Sequence, residues 1–413
     1  MSMNTGVSGL QAASQDLNII SNNIANSNTT GYKSMDVQFA DVYSSTSGSG
    51  GVYVSDIETD FAQGTMVYTS SATDLAIDGG GFFIMQDANG QEYYTRAGSF
   101  DTDKDGYMVN DQGQYLMGYA VDENGNVIEG QLEPLPVNTA DLPAQQTDRA
   151  QVTANLDSRE EPISDTSNFD PAKPETYHST TTTTVYDSQG NEQQLTAYYI
   201  KTDTNEWEVR YEANGEEITN PDGDPYKVSL TFNEDGVLTS SSDTVSDAHT
   251  YPGEYSLPLD FANGTALMDL AMDVSDMSQY GNDFAVSQNS QDGYPAGQFY
   301  GVSISDEGAI VATYSNGQSE VQGFVALATF PSDAKLESAG NTSWQETPES
   351  GEAIVGLPNT GTNGGITGGA LESSNVDMSS ELVDMIVAQS AYQANTKTIS
   401  TFDENTQYLL NTF

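Results

Sequence analysis

Two segments, one near each end of the chain, place apolar and small residues at the spacing of a helical heptad. Near the start, steps of three and four residues alternate through Met3, Gly6, Leu10, Ala13, Leu17, Ile20 and Ile24. Near the end, the same steps run through Met385, Ala388, Tyr392, Asn395, Ile399, Phe402, Thr406, Leu409 and Phe413. This spacing predicts two helices, each with a seam that packs against another helix.

Both predicted helices have recognisable limits. The first ends at a cluster of Asn, Ser, Thr and Gly between Asn26 and Gly31, residue types that favour turns and helix C-caps. The second begins after Asp377, which is a good N-cap, and has Glu381 in its first turns. Near its start the apolar face is widened by Leu382, Val383, Ile386 and Val387.

Between about Leu75 and Gly118 the pattern changes to short apolar or alternating runs broken by turns that contain Gly. Asn89-Gly90 is a strong hairpin signal. Similar dipeptides recur at Asp105-Gly106, Gln112-Gly113, Asn124-Gly125, Gln189-Gly190, Asp235-Gly236 and Asn316-Gly317. The predicted fold class is therefore mainly β with α-helical termini: nested antiparallel β domains and a helical coiled-coil base formed by the N- and C-terminal segments.

Composition divides the chain into nested regions. Residues 134–175 are rich in Pro and acidic residues and predict an exposed crossing segment. We predict a terminal helical domain from residues 1–30 with 374–413 and a linker region from 31–72 with 340–373. The β part is predicted to form an inner domain from 73–147 with 284–339 and an inserted outer domain from 148–283.

The charge of the chain excludes several classes of partner. It has 11 basic and 61 acidic residues, and its formal net charge is −50. Such a surface opposes binding to nucleic acid and insertion into an anionic membrane. The first residues, MSMNTGVSGL, lack the basic and apolar regions of a classical signal peptide, so export is expected to use another route. The absence of Cys excludes disulfides, thiolate catalysis and Cys-based zinc sites.

The predicted helices carry very little of this charge. Residues 1–35 contain one acid, Asp16, and one base, Lys33. A helix that buries only one face normally carries charge on the other. We therefore interpret both helices as surrounded by protein on several sides, most simply by other copies of the chain. The predicted subunit interface is Leu10, Ala13, Leu17, Ile20, Ile24, Met385, Ala388, Tyr392, Ile399, Phe402, Leu409 and Phe413.

One motif in the β region resembles a metal site. Asp101, Asp103 and Asp105, followed by Gly106, match the first half of an EF-hand calcium loop. The twelfth position is Gln112 where the motif needs a bidentate Glu, and no flanking helices are predicted. The pattern favours a hairpin turn, and the three aspartates are kept only as a weak metal candidate.

No catalytic constellation is evident. GGGF at residues 79–82 precedes an apolar strand rather than the helix that a phosphate-binding loop opens, so we interpret its glycines as a tight entry to that strand. His178 and His249 are isolated, lie in polar contexts and are predicted to be solvent-exposed. We predict no enzymatic activity and no cofactor.

Three stretches resemble one family. LNIISNNIANSNTTGYKS with FADVY at 39–43, and GALESSNVDMSSELVDMIVAQSAYQANTKTIST at 369–401, are similar to the two terminal motifs of flagellar rod and hook axial proteins. Residues 73–119 resemble the core β segment of that family. The insert at about 148–283 resembles the outer domain of its hook members and distinguishes the chain from the shorter rod members.

The resemblance implies a structural subunit of the bacterial flagellar hook. Many copies would form a curved, flexible tube that transmits torque from the rod to the filament. The implied partners are other copies of the chain, the rod, the hook cap, the hook–filament junction proteins and the flagellar type III export apparatus. The implied location is the extracellular hook, reached without a cleaved signal peptide.

Alternatives remain open at this point. Within the family, the alternative is a distal rod protein. Outside it, a calcium-dependent acidic surface adhesin would also be β-rich, although it leaves the two heptad seams unexplained. A secreted hydrolase would need a catalytic constellation that the sequence does not show.

Overall fold

The computed structural model describes residues 3–42, 50–122, 125–128, 130–220, 223–243, 253–261 and 264–412. Its helices are α1 (Met3–Ala25) and α2 (Met378–Thr412), one at each end of a chain that is otherwise mostly β. The predicted fold class is confirmed.

The strands of the first third are β1 (Met35–Val42), β2 (Gly51–Thr59), β3 (Met66–Tyr68), β4 (Leu75–Asp78), β5 (Phe82–Gln86), β6 (Glu92–Thr95), β7 (Asp101–Thr102), β8 (Met108–Val109), β9 (Tyr115–Tyr119) and β10 (Glu133–Pro134). Those of the middle are β11 (Arg149–Asp157), β12 (Ser179–Tyr186), β13 (Glu192–Asp203), β14 (Glu206–Ala213), β15 (Glu216–Glu217), β16 (Lys227–Phe232), β17 (Leu238–Asp243), β18 (Glu254–Leu259), β19 (Met268–Asp273), β20 (Ser278–Tyr280) and β21 (Ala285–Gln291). The last are β22 (Phe299–Ile304), β23 (Ala309–Tyr314), β24 (Ser319–Val325), β25 (Leu327–Thr329), β26 (Glu337–Gly340), β27 (Ser343–Gln345), β28 (Ile354–Gly356), β29 (Gly365–Gly368) and β30 (Ala370–Glu372).

The chain folds into two compact units, and the residues of the second are inserted in the sequence of the first. The first unit comprises Met1–Thr139, Tyr300–Thr313 and Ser319–Phe413, and so contains both helices. The second comprises Ala140–Phe299 with Tyr314–Gln318. The finer division of the first unit into a helical domain, a linker and an inner β domain stays a prediction.

The second unit is a sandwich of two sheets. One sheet has the order β18-β19-β11-β20, with β21 also on β11, and the other has the order β12-β13-β14-β16-β17. Every second residue of β11 is buried, and residues from both sheets join one core around Trp207. This is the alternation expected where one face of each sheet is covered.

The first unit is built on a sheet whose main path is β22-β23-β24-β9-β5-β6-β27-β26. At its centre, β5 is buried on both faces: Phe83 and Met85 join one core cluster, and Phe82 and Ile84 join another. A continuous apolar run is typical of such a strand. Gly79 and Gly81 lead into it with φ of 112° and 113°, so these glycines form the entry to the strand.

The hairpin predicted at Asn89-Gly90 is confirmed, because β5 and β6 pair antiparallel around it. The loop starts earlier than the dipeptide. Asp87 Oδ1 accepts hydrogen bonds from the amides of Asn89 and Gln91, and Gly90 has φ of 84°. Gly90 is therefore the left-handed residue that follows a turn. In four further turns the side chain of an Asp or Asn also accepts hydrogen bonds from the amides two and four residues later. These residues are Asp103, Asn110, Asp187 and Asn233.

The prediction of an exposed crossing segment at residues 134–175 is wrong for the central part of that range. Residues 149–157 form β11, which pairs with β19, β20 and β21. Prolines and acids on both sides of the strand obscured its alternating pattern. Farther on, Arg210, which is almost fully buried, donates a hydrogen bond of 2.6 Å to the carbonyl of Thr166, which fastens this part of the chain to the sheet.

Candidate assembly interface

The two ends of the chain meet at Asn23, in the last turns of α1. Asn23 is 2 % exposed. Its Nδ2 donates to the carbonyl of Met35 and to Glu381 Oε1, each at 2.9 Å. Its Oδ1 accepts from the Met35 amide at 3.0 Å and from the Tyr32 hydroxyl at 3.1 Å. One carboxamide therefore joins α1, the start of β1 and the first turn of α2.

A buried ion pair lies beside this contact. Lys33 Nζ is 2.6 Å from Glu372 Oε1, and both side chains are 0 % exposed. The amide of Gly64 donates to the same oxygen at 2.7 Å, and Arg96 Nη1 lies 3.4 Å from Glu372 Oε2. Burial lowers the pKa of Lys33, while Glu372 opposes that change. We call this group the terminal latch: Lys33, Arg96 and Glu372.

The turn that follows α1 is held by a close contact at Gly31. Gly31 has φ of +67° and its amide donates to the Glu372 carbonyl at 2.8 Å. A Cβ at this position would lie 2.4 Å from the backbone nitrogen of Ala97. Only glycine fits a left-handed residue in so close a contact. The turn after α1 thus directs Lys33 towards the C-terminal segment.

The helices α1 and α2 run antiparallel and approach closely at small residues. A Cβ on Gly6 would lie 3.1 Å from Ile399 Cγ1, and one on Gly9 would lie 2.8 Å from Asn395 Oδ1. Thr5 and Ser8 of α1 also contact the β1–β2 hairpin, through hydrogen bonds with the Gly50 carbonyl and the Val52 amide. Within one chain, α1 is therefore packed on two sides.

The predicted interface residues occupy different environments in a single copy. Ala13, Ile20 and Ala388 are buried. Leu10, Leu17, Ile24, Met385 and Ile399 are partly buried. Tyr392 and Phe402 are 36 % and 38 % exposed. The side chain of Leu409 and the whole of Phe413 lie outside the described residues. Of these residues, Ile399 lies against Gly6 of α1. A single copy does not test the role of any of them between copies.

A cluster of uncovered apolar side chains on α2 lies at residues that the heptad seam does not include. Within its first turns, five large side chains are between 44 % and 64 % exposed: Met378, Leu382, Val383, Ile386 and Val387. We call these five residues the apolar stripe. Near the other end of the helix, Tyr408 and Leu410 are 72 % and 75 % exposed. Sequence analysis noted four residues of the stripe as a widened face, but did not assign them to the interface.

Carboxylates gather where α1, β1 and α2 meet. Burial raises the pKa of Asp16, and Asp36 and Asp384 raise it further. Burial also raises the pKa of Glu381; Asp384, Asp36 and Asp16 add to this effect, and the hydrogen bond from Asn23 opposes it. We call Asp16, Asp36, Glu381 and Asp384 the junction carboxylates. Their mutual repulsion is a cost that a nearby cation would relieve.

The weak metal candidate is a hairpin in the structure. Asp101 begins β7 and Asp103 follows its last residue; the Oδ1 of Asp103 accepts from the amides of Asp105 and Tyr107, each at 2.9 Å. Asp105 pairs with Lys104 at 2.6 Å. Nowhere in the described part of the chain do three or more His, Cys, Asp or Glu side chains form a group that could hold a metal.

The prediction of a solvent-exposed His178 is wrong. Its ring is partly buried, its Nδ1 accepts from the Lys201 amide at 3.1 Å, and its Nε2 lies 3.0 Å from the Glu161 carbonyl. The polar sequence context did not reveal these backbone partners. His249 lies outside the described residues. Among the helices described, none is both long and apolar enough to cross a membrane.

Four family models match successive parts of the chain. Residues 3–33 match "Flagella basal body rod protein", and residues 76–153 match "Flagellar hook protein FlgE/F/G D1 domain". Residues 155–294 match "Flagellar basal body protein FlaE D2 domain", and residues 367–412 match "Flagellar basal body rod FlgEFG protein C-terminal". The terminal matches contain Lys33 and Glu372, the ion pair of the latch.

Full-length relatives decide the family. The flagellar hook protein FlgE of Salmonella typhimurium is 36 % identical, with 100 % of both chains covered. The chain belongs to the flagellar hook protein family. The hook protein FlgE of Rhizobium meliloti is 38 % identical over 99 % of this chain and 98 % of its own. That of Escherichia coli is 34 % identical over 100 % of both.

A solved hook-family structure agrees with the fold. The crystal structure of Helicobacter pylori flagellar hook protein FlgE2 aligns with a TM-score of 0.56 and 16 % identity, over 73 % of this chain and 98 % of that chain. This hook-family chain is a structural subunit of the bacterial flagellar hook.

Proposed function

We propose that copies of this hook subunit assemble through the outward faces of α1 and α2, with the apolar stripe of α2 as the central contact. The supporting observation is the exposure of the stripe: five large apolar side chains in the first turns of one helix are between 44 % and 64 % exposed. Apolar clusters of this kind mark interaction surfaces. A second copy is the occupant because the hook is a polymer of one kind of subunit.

The half-buried seam residues belong to the same proposed interface. Leu10, Leu17 and Ile24 of α1 keep part of their surface free in a single copy. Packing by neighbouring helices would bury what remains. At roughly 25 cal/mol per Å² of apolar area, covering these seams and the stripe contributes substantially to association.

The remaining roles follow from the location of a hook. We infer a mechanical function without a catalytic step, in which the polymer joins the rod to the filament and transmits torque while it bends. The proposed partners are the rod, the hook cap, the hook–filament junction proteins and the type III export apparatus. Export through that apparatus without a cleaved signal peptide is part of the same proposal.

The test replaces Ile386, which is 64 % exposed, by Asp in the full chain. Because the side chain is exposed in a single copy, thermal unfolding of the soluble Ile386→Asp subunit should match that of the wild type. Polymerisation, followed by light scattering and electron microscopy, should be abolished because the charge would be buried between copies.

Two variants serve as controls. Ile386→Leu keeps an apolar side chain and should polymerise. Thr184→Asp adds the same charge on an exposed position of β12, in the second unit, and should also polymerise. Polymers of normal yield from Ile386→Asp would refute the proposed contact.

A further inference from the structure

In the second unit, the ring of His178 continues a sheet at the point where a strand begins. β12 starts at Ser179, and the amide of His178 just before it donates to the Tyr199 carbonyl of β13 at 3.0 Å. Two residues farther along β13, the amide of Lys201 donates to Nδ1 of the His178 ring at 3.1 Å. Backbone groups two residues apart on a strand point to the same edge. The ring nitrogen therefore accepts a hydrogen bond that a carbonyl of a longer β12 would otherwise accept.

Beyond the ring, the same edge of β13 is covered by a segment that follows β11. We call residues 158–163 the strap. The amide of Ile163 donates to the Lys201 carbonyl at 2.8 Å. The second ring nitrogen of His178, Nε2, lies 3.0 Å from the Glu161 carbonyl. His178 is thus bound to β13 through one ring nitrogen and to the strap through the other.

These two contacts determine which ring nitrogen carries the proton. A carbonyl oxygen only accepts hydrogen bonds, so Nε2 must be the donor towards Glu161. A backbone amide only donates, so Nδ1 must present its lone pair to Lys201. His178 is therefore neutral in the folded unit, with its proton on Nε2. A second proton would have to sit on Nδ1, where it would face the hydrogen of the Lys201 amide.

The surroundings of the ring also disfavour a second positive charge. Lys201 is 6 % exposed, and its Nζ donates to the carbonyls of Ser158 and Glu160 at 2.6 and 2.9 Å. The buried ammonium group is thus bound to the carbonyl next to the one that the ring binds.

No carboxylate balances this charge at the ring. The titratable side chains on the strap and on the parts of β11, β13 and β14 beside it are Asp157, Arg159, Glu160, Glu161, Tyr199, Lys201, Glu206 and Glu208. Arg159 is paired with Asp157 and Asp283, and the side chains of Glu160 and Glu161 are exposed. In the described part of the chain, none of these carboxylates forms an ion pair with His178.

We propose that His178 is an acid-sensitive switch that holds the strap on the edge of β13 while its ring is neutral and releases it when the ring takes up a proton. Because the folded unit binds the neutral ring, attachment is complete in neutral and alkaline solution. It is lost as the pH falls into the range where imidazole side chains become charged. Release leaves backbone groups of Lys201 unpaired on an open strand edge. This inference concerns the second unit alone and does not depend on the proposed assembly face.

Nitrogen NMR of the full chain, with isotopically labelled histidine, tests the protonation state directly. The chain has two histidines, so the signal that disappears in His178→Gln is that of His178. At neutral pH the proton should be found on Nε2, and Nδ1 should show a hydrogen-bonded lone pair. A proton on Nδ1, or a charged ring at neutral pH, would overturn the proposal.

Hydrogen–deuterium exchange with peptide mass spectrometry tests the release of the strap. Rates are corrected for the direct effect of pH on exchange. Between about pH 7.5 and about pH 5.5, the amides of Ile163 and Lys201 should exchange about tenfold faster or more, because each loses its acceptor. The amides of β16, inside the sheet of the same unit, should keep their protection and so report that the unit stays folded. Unchanged protection of Ile163 and Lys201 would show that the strap is not released.

Two variants separate the imidazole from other effects of acid. His178→Gln provides one acceptor and one donor, as the neutral ring does, but takes up no proton, so its strap should stay protected at both pH values. His178→Arg carries a permanent charge and has no acceptor, so its strap should exchange rapidly already at neutral pH. Loss of protection in acid by His178→Gln to the same extent as in the wild type would assign the effect to carboxylates and refute the role of His178.

Discussion

Lys33 and Glu372, which are 339 positions apart in the chain, form a 2.6 Å ion pair with no exposed surface on either side chain. Lys33 follows α1 by a few residues, and Glu372 precedes α2 by a few residues. The pair therefore closes the chain at the point where both helices leave the β structure of the first unit.

Removing the anion of the latch should destabilise the first unit strongly. Glu372→Gln keeps the shape of the side chain but leaves Lys33 and Arg96 buried without their carboxylate. We expect a loss of about 3–5 kcal/mol in the free energy of unfolding, measured by denaturant titration. The control is Asp105→Asn, which removes the exposed Lys104–Asp105 ion pair and should leave the denaturant concentration at the unfolding midpoint unchanged. Equal midpoints for both variants would show that the latch is energetically unimportant.

The close contact at Gly31 predicts a difference between two glycines. Gly31 and Gly90 both have positive φ, but a Cβ at Gly31 would lie 2.4 Å from backbone, whereas nothing lies within 4 Å of one at Gly90. Gly90→Ala should cost about 1–2 kcal/mol through backbone strain. Gly31→Ala should cost clearly more because the Ala97 backbone must also move. Thermal melts that rank the two variants the other way would contradict this account.

The β26–β27 hairpin should become more stable when its turn is relaxed. Asn341 and Thr342 form the two-residue connection, with φ of 50° and 56°. A turn with two positive φ values favours Gly at the second position, where the β-branched Thr342 is strained. Thr342→Gly should raise the free energy of unfolding by about 1 kcal/mol. The same change at Thr184, in an exposed strand position, should lower it, which provides the internal comparison.

The second unit should unfold in alkali because its core holds tyrosines. Burial raises the pKa of Tyr199, Tyr211 and Tyr255 far above the ordinary value of 10.0, and burial with the Glu212 hydrogen bond raises that of Tyr198 to about 12. Because the folded state keeps these groups neutral, their contribution is complete below pH 10 and is lost as the pH rises above it.

Tyrosinate absorbance and circular dichroism, recorded together during alkaline titration, should change in one transition above pH 10. Tyr199→Phe removes one group that must ionise and should move that transition to higher pH. Full ionisation with an intact β signal would show that the tyrosines are accessible in the folded unit.

The sequence predicted the elements whose signal is local. The heptad spacing located α1 and α2, and the Gly-containing turns located the hairpins. β11 was missed because Pro and acidic residues on both sides dominated the composition of its region. The environment of His178 was missed for a related reason: its partners are backbone groups of Glu161 and Lys201, which the side-chain sequence does not reveal.

The prediction of the interface residues was limited in the same way, because it used only local spacing. The heptad steps named Gly6 and Ile399, which the structure places against each other between α1 and α2. They did not separate residues that are covered inside one copy, such as Ala388, from residues that stay exposed, such as Phe402. That distinction depends on where α1 and the β1–β2 hairpin lie. The latch depends on a contact between residues too far apart in sequence for any local pattern to indicate it.

The position of the latch also determines how the subunit responds to mechanical force. Because the two helices leave the β structure of the first unit beside one buried ion pair, an axial pull on either helix reaches that structure at the same place. The neighbouring hydrogen bonds of Asn23 and Gly31 are then strained together rather than broken one after another from an end. A subunit tethered in this way should resist tension where its two helices join the β structure of the first unit.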